Sequence, residues 1–231
     1  MSYAPVRDIV MILLLFMYAD AAFCRNGVWH DAARIWSDVV GKSPGSVKGR
    51  VGLGLALSRE GRFEEAIRSY ETALRLDPEN EAAHNDRGNV LLDMGNSDEA
   101  IREFQIVIRI QPRHAKAYNN LGVAYAGAGR LEEAVSAYQR AIRIRADYAE
   151  ARVNLGNVYE RSGRPELALQ YYQSALNLHP EPRSAAAAHF GRGMIYREMG
   201  LRSEARAEFE TAGALQPGFG EAAQMLDEMR R

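Results

Sequence analysis

The stretch AKAYNNLGVAYAGAGRLEEAVSAYQRAIRIRADY, residues 115–148, decides the fold, because it is one complete copy of a pattern that recurs along the chain. In both halves, apolar residues return at the spacing of an amphipathic helix. Gly129 stands between the halves and can adopt the left-handed backbone that ends a helix. An acidic pair follows it, which suits the positive end of a helix dipole. The stretch therefore predicts two helices, the first over 115–129 and the second over 131–145.

The same markers return every 34 residues, and a fixed period of this length indicates a repeat architecture. Four series share the spacing: Gly54, Gly88, Gly122 and Gly156; Gly61, Gly95, Gly129 and Gly163; Ala66, Ala100, Ala134 and Ala168; and Tyr70, Phe104, Tyr138 and Tyr172. After an insertion of three residues, a fifth set keeps the same internal spacing: Gly193, Gly200, Ala205, Phe209 and Pro217. Five units in phase predict an all-α protein built from pairs of helices.

The segment from Ala115 to Tyr125 closely matches one known repeat, and the whole frame resembles the tetratricopeptide repeat family. This resemblance implies a right-handed α-solenoid of helix-turn-helix units with a C-terminal capping helix. It places a partial unit at 27–46, complete units at 47–80, 81–114, 115–148, 149–182 and 186–219, and the cap at 220–231. Arg87 and Arg192 depart from the family pattern, because they stand where leucine is usual.

The composition excludes several classes of protein. The formal net charge of the 231 residues is -1, whereas a surface that coats nucleic acid needs a clear basic excess. The single cysteine, Cys24, excludes a disulfide framework and a multi-cysteine zinc site, and the five histidines are scattered. The sequence contains no nucleophile elbow, phosphate-binding loop or dinucleotide fingerprint. We therefore predict a protein that is not an enzyme and that binds no cofactor, no metal and no nucleic acid.

Residues 1–26 carry a hydrophobic segment for which three interpretations remain open. The run from Ile9 to Ala19 is uninterrupted and apolar. A run of this length suits a signal-peptide core or a buried helix better than a full membrane span of about 20 residues. Arg7 before it and an Ala-x-Ala pattern after it fit a cleaved secretory signal. The third interpretation is a retained membrane helix over 8–24.

The junction that follows this segment carries a second resemblance. Residues 25–44 read RNGVWHDAARIWSDVVGKSP. They are similar to the junction in bacterial multi-pass membrane proteins related to glycosyltransferases, in which the last membrane helix runs directly into tetratricopeptide units. The resemblance implies a membrane location with the solenoid outside the cytoplasm. The alternative is export by a cleaved signal peptide.

The candidate binding residues lie on the first helices of the units, which line the concave groove of a tetratricopeptide solenoid. They are six asparagines and one lysine: Asn85, Asn89, Lys116, Asn119, Asn120, Asn154 and Asn157. Asn85 and Asn119 are 34 residues apart, as are Asn120 and Asn154, so their amides should form a ladder. An amide offers a donor and an acceptor and can pair with a peptide backbone. The pattern resembles the asparagine ladder of O-linked N-acetylglucosamine transferases. The alternative is structural, because asparagine before Leu-Gly is common in ordinary units.

A carboxylate clamp of the kind that holds acidic chaperone tails fits the sequence less well. In the frame that uses Asn89 and Asn120, the positions of the expected lysine and arginine carry Glu150 and Asn154. Lys116 is basic but belongs to a different frame. The sequence therefore predicts a scaffold that binds a protein or peptide partner in the groove, with the membrane as a second partner through the N-terminal segment. The alternative function is an accessory or severed C-terminal part of a membrane glycosyltransferase that positions protein substrates.

Overall fold

The computed structural model describes residues 32–230, and every regular element in that part of the chain is an α-helix. The helices are α1 Ala32–Lys42, α2 Val47–Arg59, α3 Phe63–Leu76, α4 Glu81–Asp93, α5 Ser97–Ile110, α6 Ala115–Gly127, α7 Leu131–Ile144, α8 Ala149–Arg161, α9 Pro165–Leu176, α10 Pro182–Glu198, α11 Arg202–Leu215 and α12 Gly220–Arg230. The hydrophobic segment 1–26, with its 8–24 span and Cys24, lies outside the described residues. So do the start of the partial unit and Arg231.

Apart from its repeats, the chain divides into two compact units, which we call the N-terminal unit and the C-terminal unit. The first of them ends at Ala83. In this unit Ser46 begins α2, because its Oγ accepts a hydrogen bond from the backbone N–H of Gly49 at 3.0 Å. The ring of Trp36 in α1 lies against Gly52, where an added Cβ would come within 2.5 Å of the indole. Tyr70 of α3 lies in the same way against the backbone of α2. Aromatic rings packed on glycine thus hold α1, α2 and α3 together.

The C-terminal unit, from His84 onward, is an α-solenoid of helix pairs in which each pair packs on the next. One aromatic ring on each second helix covers one glycine on the first helix of the same pair. The contacts are Phe104 on Gly88, Tyr138 on Gly122, Tyr172 on Gly156 and Phe209 on Gly193. An added Cβ at any of these glycines would lie 2.6 to 2.7 Å from the ring, so only glycine admits the aromatic side chain. The glycine and aromatic series of the sequence are therefore two sides of one contact.

The turn between the helices of a pair also requires glycine. Gly129 has a φ of 75° and lies between α6 and α7, as its sequence position predicts. Its equivalents Gly61, Gly95, Gly163 and Gly200 have φ values from 68° to 80°. A residue with a Cβ would be strained at each of these turns.

The helix α12 covers the end of the last complete pair. Its residue Ala222 is fully buried against Ala186 and Ala212. Phe190 lies between the rings of Phe209 and Phe219, with centroid distances of 5.5 and 5.2 Å. Within residues 32–230, no helix combines the length and the apolar character that a membrane span needs.

Candidate peptide-binding face

The first helices α4, α6 and α8 lie side by side, and asparagine side chains join them. Nδ2 of Asn120 in α6 donates to Oδ1 of Asn85 at 3.3 Å and to Oδ1 of Asn89 at 3.0 Å, both in α4. An amide nitrogen has two hydrogens, so both N–H groups of Asn120 are used in this contact. The three side chains are half-buried.

The contact is repeated between the next two helices. Nδ2 of Asn154 in α8 donates to Oδ1 of Asn119 in α6 at 3.0 Å. Asn119 is only 1% exposed, and its own Nδ2 donates to Oε1 of Glu150 at 3.3 Å. The buried amide thus has partners for both of its ends, as buried polar groups usually do.

We call Asn85, Asn89, Asn119, Asn120 and Asn154 the amide row. The structure brings these five predicted residues together. The row ends at α8 because the equivalent position in α10 is Gly191, where an added Cβ would lie 2.4 Å from the ring of Tyr172. No side chain can continue the row there.

The other two predicted residues stand apart from the hydrogen bonds of the row. Asn157 lies one turn after Asn154 in α8 and is exposed, with Oδ1 2.6 Å from the hydroxyl of Tyr172. Lys116 is exposed in the first turn of α6, and within residues 32–230 its ammonium group makes no hydrogen bond or ion pair. Its ammonium is available to a partner of the opposite charge.

The pKa of the Glu160 carboxyl group, on the same helix as Asn154 and Asn157, is raised. The hydroxyl of Tyr172 donates to Oε2 of Glu160 at 2.7 Å. Burial raises the pKa of Glu160, the hydrogen bond from Tyr172 partly offsets this, and the negative charge of Glu198 raises it further. Burial also raises the pKa of Tyr172, and the carboxylate of Glu160 adds to that shift.

A buried ion cluster that the sequence analysis missed lies between α4 and α5. Nδ1 of His84 is 2.7 Å from Oε2 of Glu103, and Nη1 of Arg87 is 3.4 Å from Oε1 of the same carboxylate. His84 and Glu103 are 6% and 7% exposed, so the carboxylate and the imidazole are removed from water together, whereas Arg87 is half-buried. Arg87, a departure from the family pattern, is thereby explained.

The same three residue types form a second, half-buried cluster between α10 and α11. Nδ1 of His189 is 2.7 Å from Oε2 of Glu208, and Nη2 of Arg192 is 3.0 Å from Oε1 of Glu208. Each of the three residues stands 105 positions after its counterpart. A comparison of the second and fifth repeats with each other, rather than with the family pattern, would have found both clusters.

The functional groups of the amide row are hydrogen-bond donors and acceptors. Within residues 32–230, no group of three or more histidine, cysteine, aspartate or glutamate side chains is arranged to hold a metal ion. The amide groups neither titrate nor act as nucleophiles at ordinary pH, but each can donate and accept. A row of amides on parallel helices suits a partner with regularly spaced polar groups.

Models of the tetratricopeptide repeat match three consecutive parts of the chain. A TPR repeat model matches residues 54–95, and two tetratricopeptide repeat models match residues 85–149 and 147–216. Together they run without a gap from the first complete pair of helices to the last. A search of the curated proteins found no match.

Several solved structures are similar in sequence and shape. MamA is 29% identical, and the match covers 73% of this chain and 97% of MamA with a TM-score of 0.60. YrrB, described as a tetratricopeptide protein with an unusual peptide-binding site, is 22% identical over 84% of this chain and 98% of its own, with a TM-score of 0.59. A thermophilic tetratricopeptide protein from Thermus thermophilus is 24% identical over 80% of this chain and 98% of its own, with a TM-score of 0.66.

Proposed function

Because the chain belongs to the tetratricopeptide repeat family, we propose that it is a protein-interaction scaffold whose first-helix face binds a peptide segment of a partner. The proposed role is binding alone, with no catalytic step and no cofactor. Solenoids of this kind use their extended concave surface for recognition. YrrB, which is described as having an unusual peptide-binding site, has the same fold.

The proposal rests on two observations: hydrogen bonds hold the amide row in place, and some of its polar atoms make no hydrogen bond. Internal hydrogen bonds hold its side chains in place across three neighbouring helices. Within residues 32–230, Oδ1 of Asn120, Oδ1 of Asn154 and Nδ2 of Asn89 make no hydrogen bond. A rigid site with polar atoms left over needs little ordering when a ligand binds, which favours affinity.

The test is a peptide selected from a random 12-residue library on the full-length chain. The double variant Asn120→Ala and Asn154→Ala should bind this peptide roughly tenfold more weakly, because each hydrogen bond contributes about 0.5–1.5 kcal/mol and about 1.4 kcal/mol is a factor of ten. Fluorescence anisotropy of the labelled peptide measures the affinity.

The control is Asn96→Ala, at an exposed asparagine before α5 whose side chain makes no cap hydrogen bond. It should leave the affinity unchanged. Since the amides of Asn120 and Asn154 also join helices, the thermal stability of the double variant is measured in parallel. A fall in stability with unchanged affinity would assign the row a structural role only and would contradict the proposal.

We also propose that residues 8–24 attach the chain to a membrane. The support is the uninterrupted apolar run from Ile9 to Ala19 and the resemblance of the junction that follows it. The full-length chain should then fractionate with membranes and resist extraction at high pH. The substitution Leu14→Asp, which places a charge in the middle of the run, should release it.

Two outcomes would contradict this attachment. A chain recovered from the soluble fraction with Ala22 as its first residue would show that the segment is a cleaved signal. A chain recovered there with its N-terminus intact would show that the segment is part of the folded protein. Co-purification from membranes with a multi-pass glycosyltransferase would instead favour the accessory role.

A further inference from the structure

Four exposed arginines lie on the solvent side of the second helices α5 and α7. In a helix, residues three and four positions apart share a face. The positions 102, 106 and 109 of α5 share such a face and correspond in the repeat to 136, 140 and 143 of α7. All six side chains are exposed or half-buried. We call the four arginines on this face the arginine patch: Arg102, Arg109, Arg140 and Arg143.

The two helices that carry the patch are neighbours. Both pack on α6. Their starts line one cleft, with residues 95–99 on one side and Gly127, Ala128 and Arg130 on the other. Two turns, or about 10 Å, separate Arg102 from Arg109 along α5, and about 5 Å separates the two arginines along α7. Physiological salt screens charges over about 8 Å, so the positive potentials of the arginines on each helix overlap.

Within residues 32–230, no acidic side chain pairs with the patch. Beyond the first turn, the only acidic residue of α5 is Glu103, which binds His84 of α4, and α7 has none. Three of the four arginines make no hydrogen bond or ion pair in the described chain. The fourth, Arg140, has its guanidinium over the ring of Tyr118, 5.9 Å from the centroid. The positive charge of the patch is therefore available to a partner.

The helix dipole alone does not account for these arginines. A cation in the last turn stabilises a helix, and Arg109 and Arg143 hold that position. The equivalent helices α9 and α11 have no basic residue in the last turn. Their side chains at the three positions of this face are neutral: Gln170, Ser174 and Asn177, and Ala207, Thr211 and Ala214. Second helices thus form with or without the charge, which is concentrated on α5 and α7 within the C-terminal unit.

The borders of the patch restrict the size of an anionic partner. The first turns of the same helices are exposed and acidic, with Asp98 and Glu99 on α5 and Glu132 and Glu133 on α7. Asp98 is eleven residues before Arg109, or about 16 Å along the helix. A nucleic-acid duplex or a membrane surface would extend over both regions and would be repelled by the acidic one. A short run of carboxylates can contact the arginines alone, and a guanidinium can bind a carboxylate through two parallel hydrogen bonds.

We propose that the arginine patch binds a short segment of a protein partner that is rich in aspartate or glutamate. The patch belongs to second helices, whereas the amide row belongs to first helices. The proposal therefore adds a second binding surface to the chain and does not depend on peptide binding at the amide row. A chain with both surfaces can hold two partner segments at once.

The experiment measures the binding of fluorescein-labelled octaglutamate to the full-length chain in neutral detergent by fluorescence anisotropy. An extended peptide of eight residues is about 26–29 Å long, which exceeds the separation of the arginines along either helix. Octaglutamate should bind, and octaglutamine should not. An increase in NaCl from about 50 to about 500 mM should weaken binding about tenfold or more, because salt screens exposed charges.

Substitutions assign the binding to the patch. The replacement of all four patch arginines by glutamine should weaken octaglutamate binding about tenfold or more, because charge-assisted hydrogen bonds are lost. Each single replacement should weaken it by about 1.5- to fivefold, which keeps the test valid if the fourfold variant does not fold. The matched control removes the same charge from four exposed arginines on other helices or turns of the C-terminal unit: Arg161→Gln, Arg164→Gln, Arg183→Gln and Arg206→Gln. It should change the affinity by less than about threefold.

The outcomes separate this proposal from the one for the amide row. The double variant Asn120→Ala and Asn154→Ala should retain octaglutamate binding. No binding by the unaltered chain, equal losses in the patch variant and its control, or a loss only in the asparagine variant would overturn the proposal. So would duplex DNA or phosphatidylglycerol vesicles that bind through the patch when octaglutamate does not. None of these results bears on the peptide selected for the amide row.

Discussion

At the scale of single residues, the glycines beneath the aromatic rings are the tightest points of the fold. An added Cβ at Gly122 would lie 2.6 Å from the ring of Tyr138, and Tyr138 is 2% exposed. The ring has no open space into which it can move. The smallest possible substitution therefore tests the contact.

Gly122→Ala should lower the free energy of unfolding by about 1–3 kcal/mol through overpacking. The matched control is Gly213→Ala in α11, where an added Cβ meets nothing within 4 Å. This control should raise stability by about 0.4–1 kcal/mol, because alanine loses less backbone entropy than glycine in a helix. Urea unfolding of both variants measures the difference. Equal effects of the two substitutions would contradict the packing argument.

The buried ion cluster makes a different prediction. Glu103→Ala leaves the buried His84 and the half-buried Arg87 without this carboxylate and should cost about 3–5 kcal/mol. Glu99→Ala, at an exposed glutamate of the same helix, should cost less than about 1 kcal/mol. Urea unfolding measures both values. A Glu103→Ala loss no larger than that of Glu99→Ala would show that water replaces the carboxylate.

Glu160 should make stability depend on pH. Its pKa is raised in the folded chain, mainly by burial, so the folded state binds the proton more tightly than the unfolded state. Its contribution is therefore favourable at low pH and is lost as pH rises from about 4 toward neutrality. Glu160→Gln still accepts from Tyr172 but cannot ionise, so the variant should lose less stability over this range. Melting temperatures at several pH values measure this, with the exposed Glu166→Gln as control. Parallel profiles for wild type and Glu160→Gln would contradict the assignment.

At the scale of elements, the sequence predicted most of the fold because its markers are themselves packing requirements. The helix predicted over 115–129 is Ala115–Gly127, and the one predicted over 131–145 is Leu131–Ile144. The ends differ by one or two residues because the sequence shows the turn glycine but not the last hydrogen bond of the helix.

The candidate site was less predictable. The 34-residue period pairs Asn85 with Asn119, whereas the structure bonds Asn85 to Asn120 and Asn119 to Asn154, which are 35 residues apart. Two neighbouring first helices face each other with opposite sides. The side chains that bond across this contact are therefore not at equivalent positions of the repeat. A repeat period cannot supply this offset.

The capping helix allows a prediction at the same scale. Removal of residues 220–231 uncovers Ala186 and Ala212, and it removes the backbone carbonyl of Met229, to which Arg202 donates at 2.9 Å. Hydrogen exchange in α10 and α11 should accelerate, whereas exchange in α6 and α7 should change little. Gln224→Ala, at an exposed position of α12, is the control. Unchanged exchange in α11 would show that the cap is dispensable.

At the scale of the whole molecule, stability should be a sum of local terms, because from His84 onward each helix pair packs on its neighbours in sequence. Ala134→Leu overfills the fully buried contact between α6 and α7. The loss of protection from hydrogen exchange should therefore centre on α5 to α9, and α11 and α12 should keep most of theirs. Uniform loss over all described helices would indicate a single cooperative unit instead.

The two ion clusters have a consequence for which helices pair with each other while the chain folds. A protein made of similar repeats can mispair while it folds, with a first helix docking on the second helix of the wrong unit. At the position of Glu103 and Glu208, the other second helices carry Ser69, Ala137 and Tyr171. If α4 docked on α7 or α9, His84 and Arg87 would lose their contact with a glutamate carboxylate, and the mispaired state would be less stable than the correct one. Glu103 therefore favours the correct pairing of α4 with α5. Among the described second helices, only α11, which carries Glu208, could replace α5 as the partner of α4.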